Sequence, residues 1–232
     1  MTAVRDALFR SIESKRERFQ SARADAFVRL LQPSRRWSVL DLGGNRGQFG
    51  KRVRAVTPID LTVADILDFS AECKAEGIDF VQLAEGERLP FPDGAFDIVI
   101  SNSVIEHVTL PKEECLRTDL SEADWKARSA AAQEWFAKEI SRIGCGYFVQ
   151  TPHKHFPIDL HLWMPLTNWM PHRALNHLIN YTDKFWIKQA GLADWNLLGT
   201  GDMRRLFPDG RIHVETVFGL PKSIIAYKRP EA

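Results

Sequence analysis

The sequence predicts an α/β fold built on a doubly wound, mostly parallel sheet, and three observations carry that prediction. The apolar run Ser38-Val-Leu-Asp-Leu42 ends in Gly43-Gly-Asn-Arg-Gly47 and passes into helix-compatible residues, as a buried strand does when it hands over to a helix beneath a nucleotide-like ligand. Further short apolar runs alternate with helical patterns, which makes them parallel strands joined by crossovers. Near residue 220 two runs are separated only by Gly219-Leu-Pro-Lys222, short enough for a hairpin, so the final strand should run antiparallel.

Composition narrows the function. The 232 residues suffice for one α/β domain with a substantial core, and 1–232 is read as a single domain. Lys and Arg number 31 against 30 Asp and Glu, so no overall field favours nucleic acid or an anionic membrane. Cys73, Cys115 and Cys145 form no CxxC pair, which argues against a disulfide framework or structural zinc and fits a reducing, cytoplasmic setting. Charge runs through the first eighteen residues and no long uncharged apolar window occurs, so neither a signal peptide nor a membrane span is expected.

Taken in order, residues 2–32 read as an amphipathic helix within an N-terminal element, 1–36, with Phe19, Phe27 and Leu31 on its apolar side. Trp37–Leu42 is the first strand, Gly47–Val56 the first crossover helix, and Ile59–Ala64 the second strand, stopping at Asp65. In the turn, Gly43, Gly44 and Gly47 permit left-handed backbone, and Asn45 tolerates it. Asp65 lies eighteen residues after Gly47, where a doubly wound fold places the carboxylate that accepts hydrogen bonds from ribose hydroxyls; a helix cap is its alternative role. Phe80–Leu83 is a third strand, ending at Ala84-Glu85-Gly86, where a carboxylate and a flexible glycine can meet an adenine edge. The turn-rich Glu87–Asp97 leads into Ile98–Ser101, a fourth strand with Ser101, Asn102, Glu106 and His107 at its carboxyl end. Residues 121–142 form a helix, Gly144-Cys-Gly breaks it, and Tyr147–Gln150 is the fifth strand. Prolines and aromatics crowd the next segment, so 151–182 should cap the sheet as a loop with short helices, one from Pro171 to Tyr181. A helix near Asp183–Ala190 and strands Ile212–Phe218 and Ser223–Lys228 complete the pattern.

These residues resemble the class I S-adenosylmethionine-dependent methyltransferases, in particular the methyltransferase-11-like group. The likeness is carried by Val39-Leu-Asp-Leu-Gly-Gly-Asn-Arg-Gly47, Asp65, Leu89-Pro-Phe-Pro-Asp-Gly-Ala-Phe-Asp-Ile-Val-Ile-Ser101 and Val104-Ile-Glu-His107. It implies a Rossmann-like, seven-stranded sheet whose last strand is antiparallel. It also implies S-adenosylmethionine as cofactor: Asp41, Gly43, Gly44, Asn45 and Gly47 around its methionine part, Asp65 at the ribose, Glu85 and Gly86 beside adenine, and Ser101 and Asn102 near the sulfur. Two departures stand out, Asn45 in the place of the usual second glycine and Glu85 where the group more often has Asp.

Methyl transfer to a hydroxyl usually needs a proton acceptor, and histidine suits the task near neutral pH. The candidates are His153, His155, His161 and His107, with His161 favoured and Asp159 as its orienting carboxylate. No HxxxH pair or nearby cysteine accompanies them, so no metal site is expected. The acceptor is expected to be a small molecule such as a sugar, glycan precursor or secondary metabolite. A nucleic-acid methyltransferase is the second reading, but Ser101-Asn-Ser-Val104 stands where amino-group base methylation would call for an Asn/Asp-Pro-Pro-aromatic tetrapeptide. A third is a cofactor-binding partner protein without turnover.

Overall fold

The computed structural model describes residues 2–115, 120–182 and 192–231, with residues 2–16 and 112 given by backbone alone. Strands β1 (Trp37–Leu42), β2 (Ile59–Asp65), β3 (Asp79–Gln82), β4 (Phe96–Asn102), β5 (Gly144–Pro152), β6 (Arg211–Val217) and β7 (Leu220–Lys228) form one sheet in the order β3-β2-β1-β4-β5-β7-β6. β7 pairs antiparallel with both β5 and β6, and the remaining pairs are parallel. The order reverses direction between β1 and β4, which opens a crevice at their carboxyl ends.

Alternation along the strands feeds two cores. Val39, Ile98, Ile100 and Phe148 face α1 (Thr2–Leu31) and α2 (Gln48–Val56), packing on Phe27, Leu31, Phe49 and Val53. Leu40, Val99 and Val149 face the opposite way, where α5 (Glu122–Ile143) and α7 (Thr200–Leu206) supply Phe136, Ile140, Met203 and Leu206. The strands are buried on both faces, which is why they read as near-continuous apolar runs. Short helices α3 (Ser70–Ala75), α4 (Lys112–Cys115) and α6 (His172–Thr182) lie between strands. None of the described helices is long and apolar enough to cross a membrane.

The expected elements recur with shifts of a few residues, and the larger differences have local causes. Gly144-Cys-Gly does not separate helix from strand but opens β5, because the cap of α5 is already extended at Gly144. The hairpin turn is Phe218-Gly219, both at positive φ, and Leu220-Pro-Lys222 belongs to β7; a bulge at Glu215/Thr216 lets Pro221 pair where a ladder donor is missing. α3 and α7 were not expected, being six and seven residues long and weakly patterned. The helix expected over Asp183–Ala190 lies outside the described residues. Within the cap, a 3-10 turn at Thr167–Trp169 and α6 take the place foreseen for short helices.

Candidate active site

At the carboxyl end of β1 the chain turns through Gly43 (φ 72°), Asn45 (φ 57°) and Gly47 (φ 67°) before α2 begins. A side chain on Gly43 would bring its Cβ within 2.7 Å of Val104, and one on Gly44 within 2.5 Å of the Asp41 carboxyl carbon, so both must be bare. Asp41 is buried; its Oδ2 accepts the Gly50 N–H at 2.9 Å, while its Oδ1 has no partner. Burial pushes this carboxyl up to about 6, against the pull of the Gly50 amide. Asp65 clamps the same turn, accepting the backbone N–H of Asn45 at 2.9 Å and of Leu67 at 3.0 Å. It does not cap α3, which begins after Phe69. Asp60, by contrast, is exposed and pairs with Arg36.

A cavity of about 680 Å³ extends from this turn, lined by Asp41, Gly43, Gly44, Asn45 and Asn102 on one side and by His107, His161, Trp163 and Trp195 on the other. Ser101 is buried beneath it with an unpartnered Oγ. Asp65, Glu85 and Gly86 are not among its lining residues. Glu85 and Gly86 are exposed in the loop that follows β3, whose last residue, Gln82, is the register partner of Asp65.

Of the four histidines, the structure brings two together and leaves two outside. His107 Nδ1 lies 2.8 Å from Asp194, and His161 meets it edge to face with ring centroids 5.0 Å apart. His161 stacks on Trp195 at 4.4 Å, and its Nδ1 lies 3.4 Å from Asp159. Asp159 is itself fixed by the backbone N–H groups of His161 and Leu162, at 2.6 and 2.9 Å. His153 is buried away from the cavity, accepting the His155 N–H on Nδ1 at 3.1 Å, and burial lowers its pKa. His155 is exposed. Sequence spacing suggested no metal site, yet Glu106, His107 and His161 converge with one ligating atom each within 4.8 Å of the others.

Several site residues escaped the sequence reading. Arg23 of α1 is buried and donates to Asn102 Oδ1 (2.7 Å), Gln150 Oε1 (2.8 Å) and Glu215 Oε2 (2.7 Å), tying the helix to β4, β5 and β6. Its signal was available: Phe19, Arg23, Phe27 and Leu31 recur every fourth residue, placing a charge on the apolar stripe. Lys222 of β7 also lines the cavity, its ammonium 3.9 Å over the Phe19 ring.

The turn fits S-adenosylmethionine: an unpartnered buried acceptor on Asp41, open left-handed backbone, and a cavity in the size range of drug-sized ligands. Residues 40–123 match the family model described as a methyltransferase domain. No curated protein matches the chain. Among solved structures, the PH0226 protein of Pyrococcus horikoshii superposes with a TM-score of 0.54 at 15% identity over 90% of each chain. A Mesorhizobium loti S-adenosylmethionine-dependent methyltransferase gives 0.51 at 14%, over 87% of this chain and 95% of its own. A chain from the Haloferax volcanii complex of the Trm112 methyltransferase activator with a methyltransferase gives 0.53 at 12%, over 98% and 96%. At such identities the structures speak for the fold, while the family match falls on the glycine turn itself. Together they show a methyltransferase-domain match over residues 40–123, set on the fold that S-adenosylmethionine-dependent methyltransferases of known structure share.

Proposed function

We propose that the chain methylates an oxygen or nitrogen of a small-molecule acceptor, in the class of sugars, glycan precursors and secondary metabolites. One observation carries this reading: the cavity that begins at the cofactor turn is shared with His107, His161, Trp163 and Trp195, an aromatic wall that faces polar side chains such as Asn102, Gln150 and Asp194 able to orient a small polar acceptor. When bound, S-adenosylmethionine supplies a methyl carbon made electrophilic by its sulfonium. The chain's task is to hold the acceptor atom in line with it and to keep water out. In this reading Asp41, Gly43, Gly44, Asn45 and Gly47 hold the methionine part and Asp65 the ribose. Glu85 and Gly86 flank adenine, and Ser101 and Asn102 lie on the sulfur side.

His161 is the residue we assign to the acceptor's proton. It lines the cavity, Trp195 sets the plane of its ring, and Asp159 stands on its Nδ1 side. A nucleic-acid acceptor finds less support, because Arg23, a basic side chain at this cavity, is engaged with Glu215. The test is a titration of cofactor followed by transfer assays on hydroxyl and amine small molecules, with oligonucleotides in parallel. His161→Ala should lower kcat by roughly 10²–10⁴ while changing cofactor affinity little. Full activity in that variant removes it as base, and methylation of oligonucleotides alone overturns the small-molecule reading.

A further inference from the structure

At the acceptor end of the cavity, two carboxylates are buried with unmet bonding capacity. Glu106 is fully buried and neither carboxylate oxygen has a hydrogen-bond partner; Asp159 is fully buried too, with Oδ2 unpartnered. A buried carboxylate without donors or a counter-charge costs several kcal/mol, and pairing with a cation or coordinating a metal is how such groups are accommodated. The group facing Glu106 is His161, whose Nε2 is 4.0 Å from Oε1, too far for a hydrogen bond.

The surroundings supply the rest of a metal centre. His107 Nδ1 is hydrogen-bonded to Asp194 at 2.8 Å, while His161 Nδ1 is buried without a hydrogen bond, 3.4 Å from Asp159. The hydrogen bond fixes the tautomer and ring orientation of His107, leaving its other nitrogen to ligate, and the stack on Trp195 sets the plane of His161. We infer that Glu106, His107 and His161 bind a divalent transition-metal cation at the acceptor end of the active-site cavity. Two imidazoles and one carboxylate suit zinc, manganese or cobalt; calcium and magnesium favour all-oxygen sets. At bonds of ~2.1 Å, tetrahedral ligands lie roughly 3.4 Å apart, so the 4.0 Å between His161 and Glu106 closes by a small side-chain rotation.

Three protein ligands leave a position open for substrate. Both histidines line the cavity, so the open position faces the acceptor space. The substrate class this selects is an oxygen acceptor that can ligate a metal through its hydroxyl. The purpose of the cation rests on the methyl-transfer reading; its binding does not. With the cation in place, His161 is a ligand and not the base, and the acidity of the acceptor comes from the ion; its role as base belongs to the ion-free protein.

The test uses the full chain stripped with chelator, titrated with Mn²⁺ by electron paramagnetic resonance and with Zn²⁺ by calorimetry. S-adenosylhomocysteine titrations on the same samples report whether the cofactor end is intact. One site per chain is expected, weakened roughly tenfold or more in Glu106→Gln and in His161→Ala, with product-cofactor affinity retained. Should either variant lose cofactor binding, the other variant and a Mn²⁺-dependent rise in the wild-type Tm carry the decision. No ion bound by the wild type, or unchanged affinity in both variants, overturns the site. Ion binding without any methylated acceptor would instead overturn the proposed function and leave the site. Full transfer by stripped protein that binds no ion would do the reverse.

Discussion

Lys222 shows how a single residue at this site sets a pH dependence. Its side chain is buried, and burial, with the charge of Arg23 beside it, lowers its pKa to about 8, Glu215 pulling the other way. The unfolded chain keeps the ordinary lysine value near ~10.4, so between about pH 8 and that value the unfolded state binds more protons and stability rises with pH. Below about pH 8 the full penalty applies. Lys222→Met should therefore raise the Tm at pH 7, by at most roughly 3 kcal/mol of stability less the lost contact with Phe19. The gain should fade as pH approaches 10. A gain equal at pH 7 and pH 10, measured by thermal unfolding, would assign it to packing and not to charge. Asp41 carries the mirror-image cost: its raised value means that stability falls as pH climbs from about 4 to about 6.

At the scale of elements, α1 is fastened to the sheet by Arg23 as much as by its apolar stripe. One guanidinium reaches side chains on β4, β5 and β6, so removing it takes a donor from Glu215, Asn102 and Gln150 together, with Ser223 and Ser103 still donating to Glu215 and Gln150. Arg23→Met should cost about 3–5 kcal/mol in urea unfolding, as breaking a buried ion pair does. The double variant Arg23→Met/Glu215→Gln should recover part of that loss. A single-variant loss below about 1 kcal/mol would mean that the apolar face alone seats the helix. The stripe was legible in sequence because its spacing is local, and so was the strand–turn–helix of β1 and α2. The hairpin was legible in outline and misplaced in detail, since the bulge that moves its turn depends on pairing with a distant strand. The convergence of Glu106, His107, Asp159, His161 and Asp194 was legible only in pieces, Glu106 with His107 at the end of β4 and His161 with Asp159 in the cap; Asp194 and the meeting of the two pairs were not. These residues sit on three separate segments, and nothing in their spacing says that the cap folds back onto the end of β4.

For the whole molecule, the parallel pairing followed from the alternation of strands and helices and the antiparallel finish from the short link near residue 220, whereas the strand order depends on pairings between distant segments. The cavity joins α1, the glycine turn, the cap and β7, so a ligand there should stabilise the fold as one unit. At a hundredfold excess over its Kd, S-adenosylhomocysteine should add about 2.7 kcal/mol, a rise in Tm of roughly 5–10 °C. An unchanged melting curve at saturating product would mean that the turn does not hold this cofactor. β7 follows the other six strands in the chain, yet it lies between β5 and β6 and contributes Lys222 to the cavity wall. On the ribosome, the edge of β5 must wait bare until residues 220–228 emerge, and the binding pocket closes only then. Synthesis therefore completes the pocket wall only with β7, and a nascent chain short of those residues exposes a sticky edge in its place.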